Sequence, residues 1–371
     1  MKNILILSIF PAPYRVKVFK EFEKKYNTTI FFERIDDKNR SKDWFLSDKE
    51  STFYVLQNEA AIKKYNDLVK NLNQFKAVFI YDYSTFISMK LMIKCISKKV
   101  PYAINCDGAF INKNIIKLII KRFFITRATA CLAGSDAAEK YFSFYGAKDR
   151  HIYRHNFTGL SKEDILKDPL SVEEKKYFRK KVGLPEEIKI VLSIGQFAHR
   201  KGFDILLKSW LLVQKKSYLI IIGGGEEEKE YKKYIIDNNL ENVEIKGYLS
   251  KEKIFDYYKA ADLFVLPTRE DIWGLVINEA MACGLPVVTT NKCVAGVELI
   301  EDYENGFIVP VDNEKKLAEK INMVLSSGSL NLRMSQKNLE KIREYTIEKT
   351  AMIHIEISED IIKRSMKFKN V

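Results

Sequence analysis

Two α/β domains, each a doubly wound parallel sheet of Rossmann-like kind, are what the sequence predicts. Three observations carry the prediction. Short apolar runs alternate with helical patterns along most of the chain. The alternation happens twice, with a second series beginning near Ile188. In that second series, apolar runs end in glycine-bearing loops at Gly195, Gly223 and Gly274, the first and last of which feed helical patterns. A chain of 371 residues with 46% hydrophobic content has material for two such cores.

In the first series, residues 3–9 read as a buried strand that Pro11 and Pro13 interrupt before a helix over 14–26. Further strands are expected at 28–32, 77–81, 102–104 and 128–133. The polar, aperiodic stretch 158–169 reads as the linker. The second series predicts strands at 190–194, 218–222, 243–245, 263–266, 287–289 and 307–309, and helices at 204–214, 227–238, 251–259 and 314–325. Two more helical patterns follow without strands, at 331–345 and 347–368. The domain boundaries expected are therefore 1–165, 166–345 and a terminal helix within 346–371.

The densest cluster of chemistry lies around residues 267–288. An apolar run closes on Pro267, and a loop carries Asp271 to Gly274, where a helix opens with Leu275. Glu279 sits about a turn and a half inside that helix, before Gly284 and Pro286 stop it. Asp271 and Glu279 are spaced as two acceptors for hydroxyl groups at the ends of an elongated ligand. The alternative is a helix cap and a surface ion pair. Gly195 is followed by Arg200 and Lys201 ahead of a helix pattern, which is chemically what a diphosphate needs, or else a solvated basic turn. In the first half, Asp107-Gly108 ends a strand, either as a turn former or as a reactive carboxylate. Arg15, after Pro13, is placed either to contact an acceptor phosphate or to cap local carbonyls.

Lys113, Lys117 and Lys121 recur every four residues beside Ile111, Ile115, Ile116, Ile119, Ile120, Phe123 and Phe124. Such a pattern is a core helix with a wet edge or a helix resting on anionic lipid. Charge favours the lipid reading. Residues 1–165 hold 29 Lys and Arg against 17 Asp and Glu, a net of +12 out of +13 for the whole chain. The five cysteines and four histidines have no metal-ligand spacing, so buried reduced thiols and no protein-held metal are expected. No apolar run is long enough to span a bilayer and residues 1–10 show no signal-peptide pattern, so a cytoplasmic location is expected, with peripheral attachment to the inner membrane face.

The run Asp271-x7-Glu279 with Trp273-Gly274-Leu275, followed by Ala280-Met281-Ala282-x-Gly284-x-Pro286-Val287, resembles the acidic-pair signature of retaining glycosyltransferases of family four. Those enzymes have the GT-B fold, two Rossmann-like domains facing across a cleft with a final helix crossing back. The usual first acid is Glu, and Asp271 is one methylene shorter, enough to change which sugar hydroxyl is reached. The loop from Gly195 resembles the family's donor diphosphate loop. Lys201 falls where the family lysine does, and Gln196 stands where an Arg is usual, so Arg200 is the expected substitute.

The resemblance implies a sugar moved from a nucleotide-diphosphate sugar, with a UDP-sugar expected, to a saccharide or polyprenyl-diphosphate-linked saccharide, as in capsule, O-antigen or exopolysaccharide assembly. No cofactor or metal is implied. Gly195, Arg200, Lys201, Tyr248, Gly274, Leu275 and Glu279 would bind donor, and Asp107 and Asp271 would act on the transferred sugar. Arg15 and Phe110 are the acceptor-side candidates. A nucleotide-sugar 2-epimerase of similar layout is the alternative, distinguishable by conversion of donor without acceptor. A basic nucleic-acid binder fits worse, because no nucleic-acid motif is present.

Overall fold

The computed structural model describes residues 1–35, 53–112 and 114–367. They form two compact units, Met1–Thr158 with Ile347–Val371, and Gly159–Thr346. The first unit holds strands β1 (Asn3–Ser8), β2 (Asn27–Phe32), β3 (Phe53–Val55), β4 (Ala77–Ile80), β5 (Tyr102–Cys106), β6 (Ala130–Ala133) and β7 (Ile152–Arg154). All pair in parallel, in the order β3-β2-β1-β4-β5-β6-β7. The second holds β8 (Lys189–Ile194), β9 (Ser217–Ile222), β10 (Val243–Lys246), β11 (Leu263–Leu266), β12 (Val287–Thr290) and β13 (Gly306–Val309), also all parallel, in the order β10-β9-β8-β11-β12-β13.

The unbroken apolar runs have a physical cause, since a parallel sheet is covered by helices on both faces. In the first unit Leu5, Leu7, Val78, Ile80 and Ile104 enter one core, while Ile4, Ile6, Ala77, Phe79 and Ala103 enter the other. Val16, Phe19 and Phe22 of the helix Pro13–Glu23 fill that second core, together with Ala351, Ile357, Ile361 and Ile362 of the helix Ile347–Lys367. Thr350 Oγ1 donates to the Asn156 carbonyl at 2.6 Å, and the Tyr81 hydroxyl meets His354 Nδ1 at 2.9 Å. His354 packs edge-on against His155, and burial pushes both imidazoles down, His155 to about 3.

Expected and observed elements differ where local signal is weakest. The strands β3 and β7 were not expected; each is three residues long and half-buried, too short to show alternation. The helix expected at 204–214 is Phe203–Trp210, and that expected at 331–345 is Gly328–Ile342, started by the Ser327 hydroxyl accepting from Leu330 N–H. All five cysteines are buried and unpaired.

Candidate active site

In each sheet the strand order reverses once, between β1 and β4 and between β8 and β11. Ligands of open α/β sheets bind beyond the carboxyl ends of the strands at that point, where two loops diverge. In the second unit those loops are 195–202 after β8 and 267–274 after β11. They are tied together by backbone. The Arg200 carbonyl accepts from Arg269 N–H at 2.8 Å and from the Thr268 hydroxyl at 2.8 Å. Gly202 allows the approach: its φ is +68°, and a Cβ there would lie 2.1 Å from the Pro267 carbonyl oxygen.

The two loops bring Lys201 to Asp271. The Lys201 ammonium donates to Asp271 Oδ2, and both side chains are nearly covered, at 10% and 13% exposure. Arg200 is exposed, its guanidinium 3.5 Å from Gln196 Oε1. Arg269, which the sequence did not single out, acts as a bolt. It donates to the His199 carbonyl at 2.7 Å, to both oxygens of Asp204 at 2.8 and 2.7 Å, and to Asp312 at 2.7 Å.

Gly274 starts the helix Leu275–Ala282 with φ +102°, a conformation that costs a side chain dearly, and a Cβ would press on Cys293 Sγ at 2.8 Å. Asp271 does not cap that helix. Its Oδ1 lies 3.4 Å from Trp273 N, outside the helix, and no side chain caps the first turn. Glu279 projects from the same helix to the Tyr258 hydroxyl, which donates to Oε2 at 2.9 Å and has the Val276 carbonyl at 3.2 Å. Burial pushes the Glu279 carboxyl up to about 7, against the Tyr258 hydrogen bond that favours the ionised form. Tyr258 is fully buried on the helix Lys251–Ala260 and looks like ordinary core in the sequence. Tyr248 is 57% exposed, its hydroxyl donating to the Gly224 carbonyl at 2.7 Å.

In the first unit, the carboxyl ends of β1, β4 and β5 assemble a second cluster. Arg15 is buried and caps no carbonyl. Its guanidinium donates to Ser8 Oγ at 2.9 Å, to Asp82 Oδ2, and to Asp107 Oδ2 at 3.0 Å. Asn105 Nδ2 holds the other oxygen of Asp107 at 2.7 Å. Asp82, Ser8 and Asn105 were not expected here; the strand-end rule that selects Asp107 would also have selected Asp82.

Phe110 is 40% exposed and lies beyond the strand end. Of the basic ridge, Lys113 lies outside the described residues. Lys117 is exposed, and Lys121 lies over the rings of Tyr141 and Tyr145, at 4.8 and 5.0 Å from their centroids. The helix Ile115–Ile125 buries only Phe124 and Ile125. Ile115, Ile116, Ile119, Ile120 and Phe123 are 42–73% exposed, so a core helix with a wet edge is not what this chain builds.

Residues 174–341 match the family model described as glycosyl transferases group 1. The match spans less than half of the chain and lies within the second unit. The matched segment covers both loops at the switch point of the second sheet, Lys201, Asp271 and Glu279 included. An uncharacterised glycosyltransferase of Haemophilus influenzae is 35% identical over 177 residues, 44% of this chain and 47% of that protein. The chain spans between 34% and 66% of the length of three other curated relatives. A Staphylococcus aureus protein named capsular polysaccharide biosynthesis glycosyltransferase CapM is 23% identical over 329 residues, 77% of this chain and 83% of that one. Among solved structures, Anabaena HepE in complex with UDP-glucose superposes with a TM-score of 0.74, covering 97% of this chain and 99% of that one at 17% identity. The fold shared is GT-B.

Proposed function

We propose that the chain is a retaining glycosyltransferase that moves a hexosyl or N-acetylhexosaminyl group from a nucleotide-diphosphate sugar to a saccharide hydroxyl in surface polysaccharide assembly. The observation that carries this reading is the meeting of Lys201 with Asp271 at the switch point of the second sheet, in the loop that leads into the helix carrying Glu279. In this reading Lys201 and Arg200 neutralise the diphosphate, with the N–H groups at Gly274 and Leu275 facing the charge that builds as the bond breaks. Glu279 accepts from ribose hydroxyls, Asp271 from the transferred sugar, and Asp107 acts on the reacting sugar. Tyr248 stands beside the base. HepE's complex with UDP-glucose supports UDP as the carrier, and CapM's name supports a capsule-type product.

The acceptor is proposed to be carried on lipid at an anionic membrane surface. Phe110, Ile111, Ile115, Ile116, Ile119, Ile120 and Phe123 are each at least 40% exposed. Lys117, Arg122 and Arg127 are exposed beside them, with no acidic residue between Asp107 and Asp136. Each cation near such a surface contributes about 1 kcal/mol and each buried large apolar side chain about 1.5–3 kcal/mol. No helix among the described residues is long and apolar enough to cross a membrane.

A panel of UDP-, GDP- and dTDP-sugars tested for thermal stabilisation decides the donor. A UDP-sugar at a hundred times its dissociation constant adds about 2.7 kcal/mol. Silence from every nucleotide sugar contradicts the reading, and conversion of the donor with no acceptor present favours the epimerase. Turnover is expected to survive EDTA. Sedimentation with phosphatidylglycerol vesicles should carry the parent protein down at low salt, and Ile116→Glu with Ile119→Glu should release it. A parent that stays in the supernatant removes the lipid acceptor from the proposal.

A further inference from the structure

We propose that Arg15 is a positioning residue that orients the Asp107 carboxylate, with Asp82 as the counter-charge that keeps the cluster negative. The inference rests on the reading of Asp107 as the group that acts on the reacting sugar. Three features of the geometry carry it. First, the guanidinium is a fork: Nη1 is held by Ser8 and Asp82, and Nη2 by Asp107 at 3.0 Å. A planar guanidinium pinned on one side can offer the other side in only one plane, so Asp107 Oδ2 is fixed by Asp82 through Arg15. Asn105 fixes Oδ1.

Second, the charges do not balance. One buried cation faces two carboxylates that are 22% and 15% exposed, so the cluster carries a surplus negative charge at the strand ends. A structural ion pair would gain from neutrality, whereas a site that meets developing positive charge on a sugar ring gains from the surplus. Third, Arg15 Nε and Asn105 Oδ1 are buried with no hydrogen-bond partner among the described residues. Such groups destabilise the fold and are retained where a polar constellation is needed for another purpose.

The groups facing this cluster are Tyr14 on the helix of Arg15, Tyr81 beside Asp82, Cys106 from β5, and Glu33 after β2. Burial pushes Tyr81 and Cys106 up, so both stay neutral through the working range, and Glu33 is also pushed up by burial. Lys121 acts on Cys106 from the helix Ile115–Ile125.

The experiment is a kinetic comparison of Arg15→Met, Arg15→Lys, Asp82→Asn, Glu33→Gln and Asp107→Asn, with UDP affinity as the control for the second unit. Arg15→Met should lower kcat by about a hundredfold or more while UDP affinity stays within about twofold. Arg15→Lys should recover only part of that loss, because an ammonium cannot hold two carboxylates in one plane. The acid limb of the kcat/KM profile should move to higher pH in Arg15→Met, which removes a cation, and to lower pH in Asp82→Asn, which removes an anion. Glu33→Gln should leave it in place. A purely structural role moves neither limb. The proposal is overturned if Arg15→Met keeps kcat within about threefold of the parent while Asp107→Asn is inactive. If Arg15→Met does not fold, Asp82→Asn decides alone: an unmoved or raised acid limb overturns it. Retained activity in Asp107→Asn instead removes the underlying reading of Asp107.

Discussion

Both sheets place a cation after their first strand in sequence against an aspartate after the strand that neighbours it at the switch point, yet the two pairs are built differently. Lys201 meets Asp271 one to one, beside the exposed Arg200. Arg15 meets Asp82 and Asp107, one to two. The first unit therefore gathers two carboxylates around one buried cation at its strand ends, whereas the second pairs its buried cation singly, although the first half of the chain is the strongly basic one by composition. Net charge says where a domain is drawn; the local count at the strand ends says what it handles.

The comparison can be broken most directly at Lys201. Lys201→Ala should lower turnover by about three orders of magnitude, since it leaves Asp271 buried without its partner and, on the proposed function, removes a cation from the diphosphate. Arg200→Ala should cost less, because that guanidinium is exposed and hydrated. Steady-state kinetics at saturating donor checks both, and equal losses would mean that the buried pair has no special part.

Acid should act on the two units with opposite sign. His155 and His354 are held neutral by burial, below their ordinary value, so the first unit loses stability as pH falls below about 6.5. The raised Glu279 carboxyl works the other way: its ionisation burdens the folded second unit near pH 7, and protonation relieves that as pH falls toward 5. Each of these three groups contributes about 2 kcal/mol between pH 7 and 5, the two histidines adding to each other. Hydrogen exchange resolved by unit should show β1 to β7 losing protection and β8 to β13 gaining it, after correction for the intrinsic exchange rate. A common loss would mean that the Glu279 carboxyl is not the buried group described.

How much of this was legible in the sequence differs in the same way between the units. The second unit announces itself locally, because Gly195, Gly274 and Gly284 stand where strands end or a helix starts and stops, within a few residues of the side chains they position. The Arg15 cluster has no such signal. Its partners lie 67 and 92 residues away, and only the sheet order, with β4 seated beside β1, brings them together. Residues 111–124 show the limit of periodicity. The isoleucine stripe reads as a core face or a lipid face, and only the exposure of Ile115, Ile116 and Ile119 removes the core reading.

A smaller effect sharpens the role of Glu279. If ribose hydroxyls donate to it, the ionised form must bind, so UDP affinity should rise about tenfold from pH 6 to pH 8 across a carboxyl near 7. The β-phosphate of UDP titrates in the same range. The part that belongs to Glu279 is therefore what disappears in Glu279→Gln.

Calorimetry of UDP and of the UDP-sugar that proves to be the donor, on the parent, Glu279→Gln and Asp271→Asn, tests the division of labour at the second switch point. Glu279→Gln should weaken both ligands by about tenfold, as expected for lost ribose contacts, whereas Asp271→Asn should leave UDP within about twofold and weaken the UDP-sugar alone. Equal losses of both ligands in both variants would contradict the assignment of Asp271 to the sugar and Glu279 to the ribose.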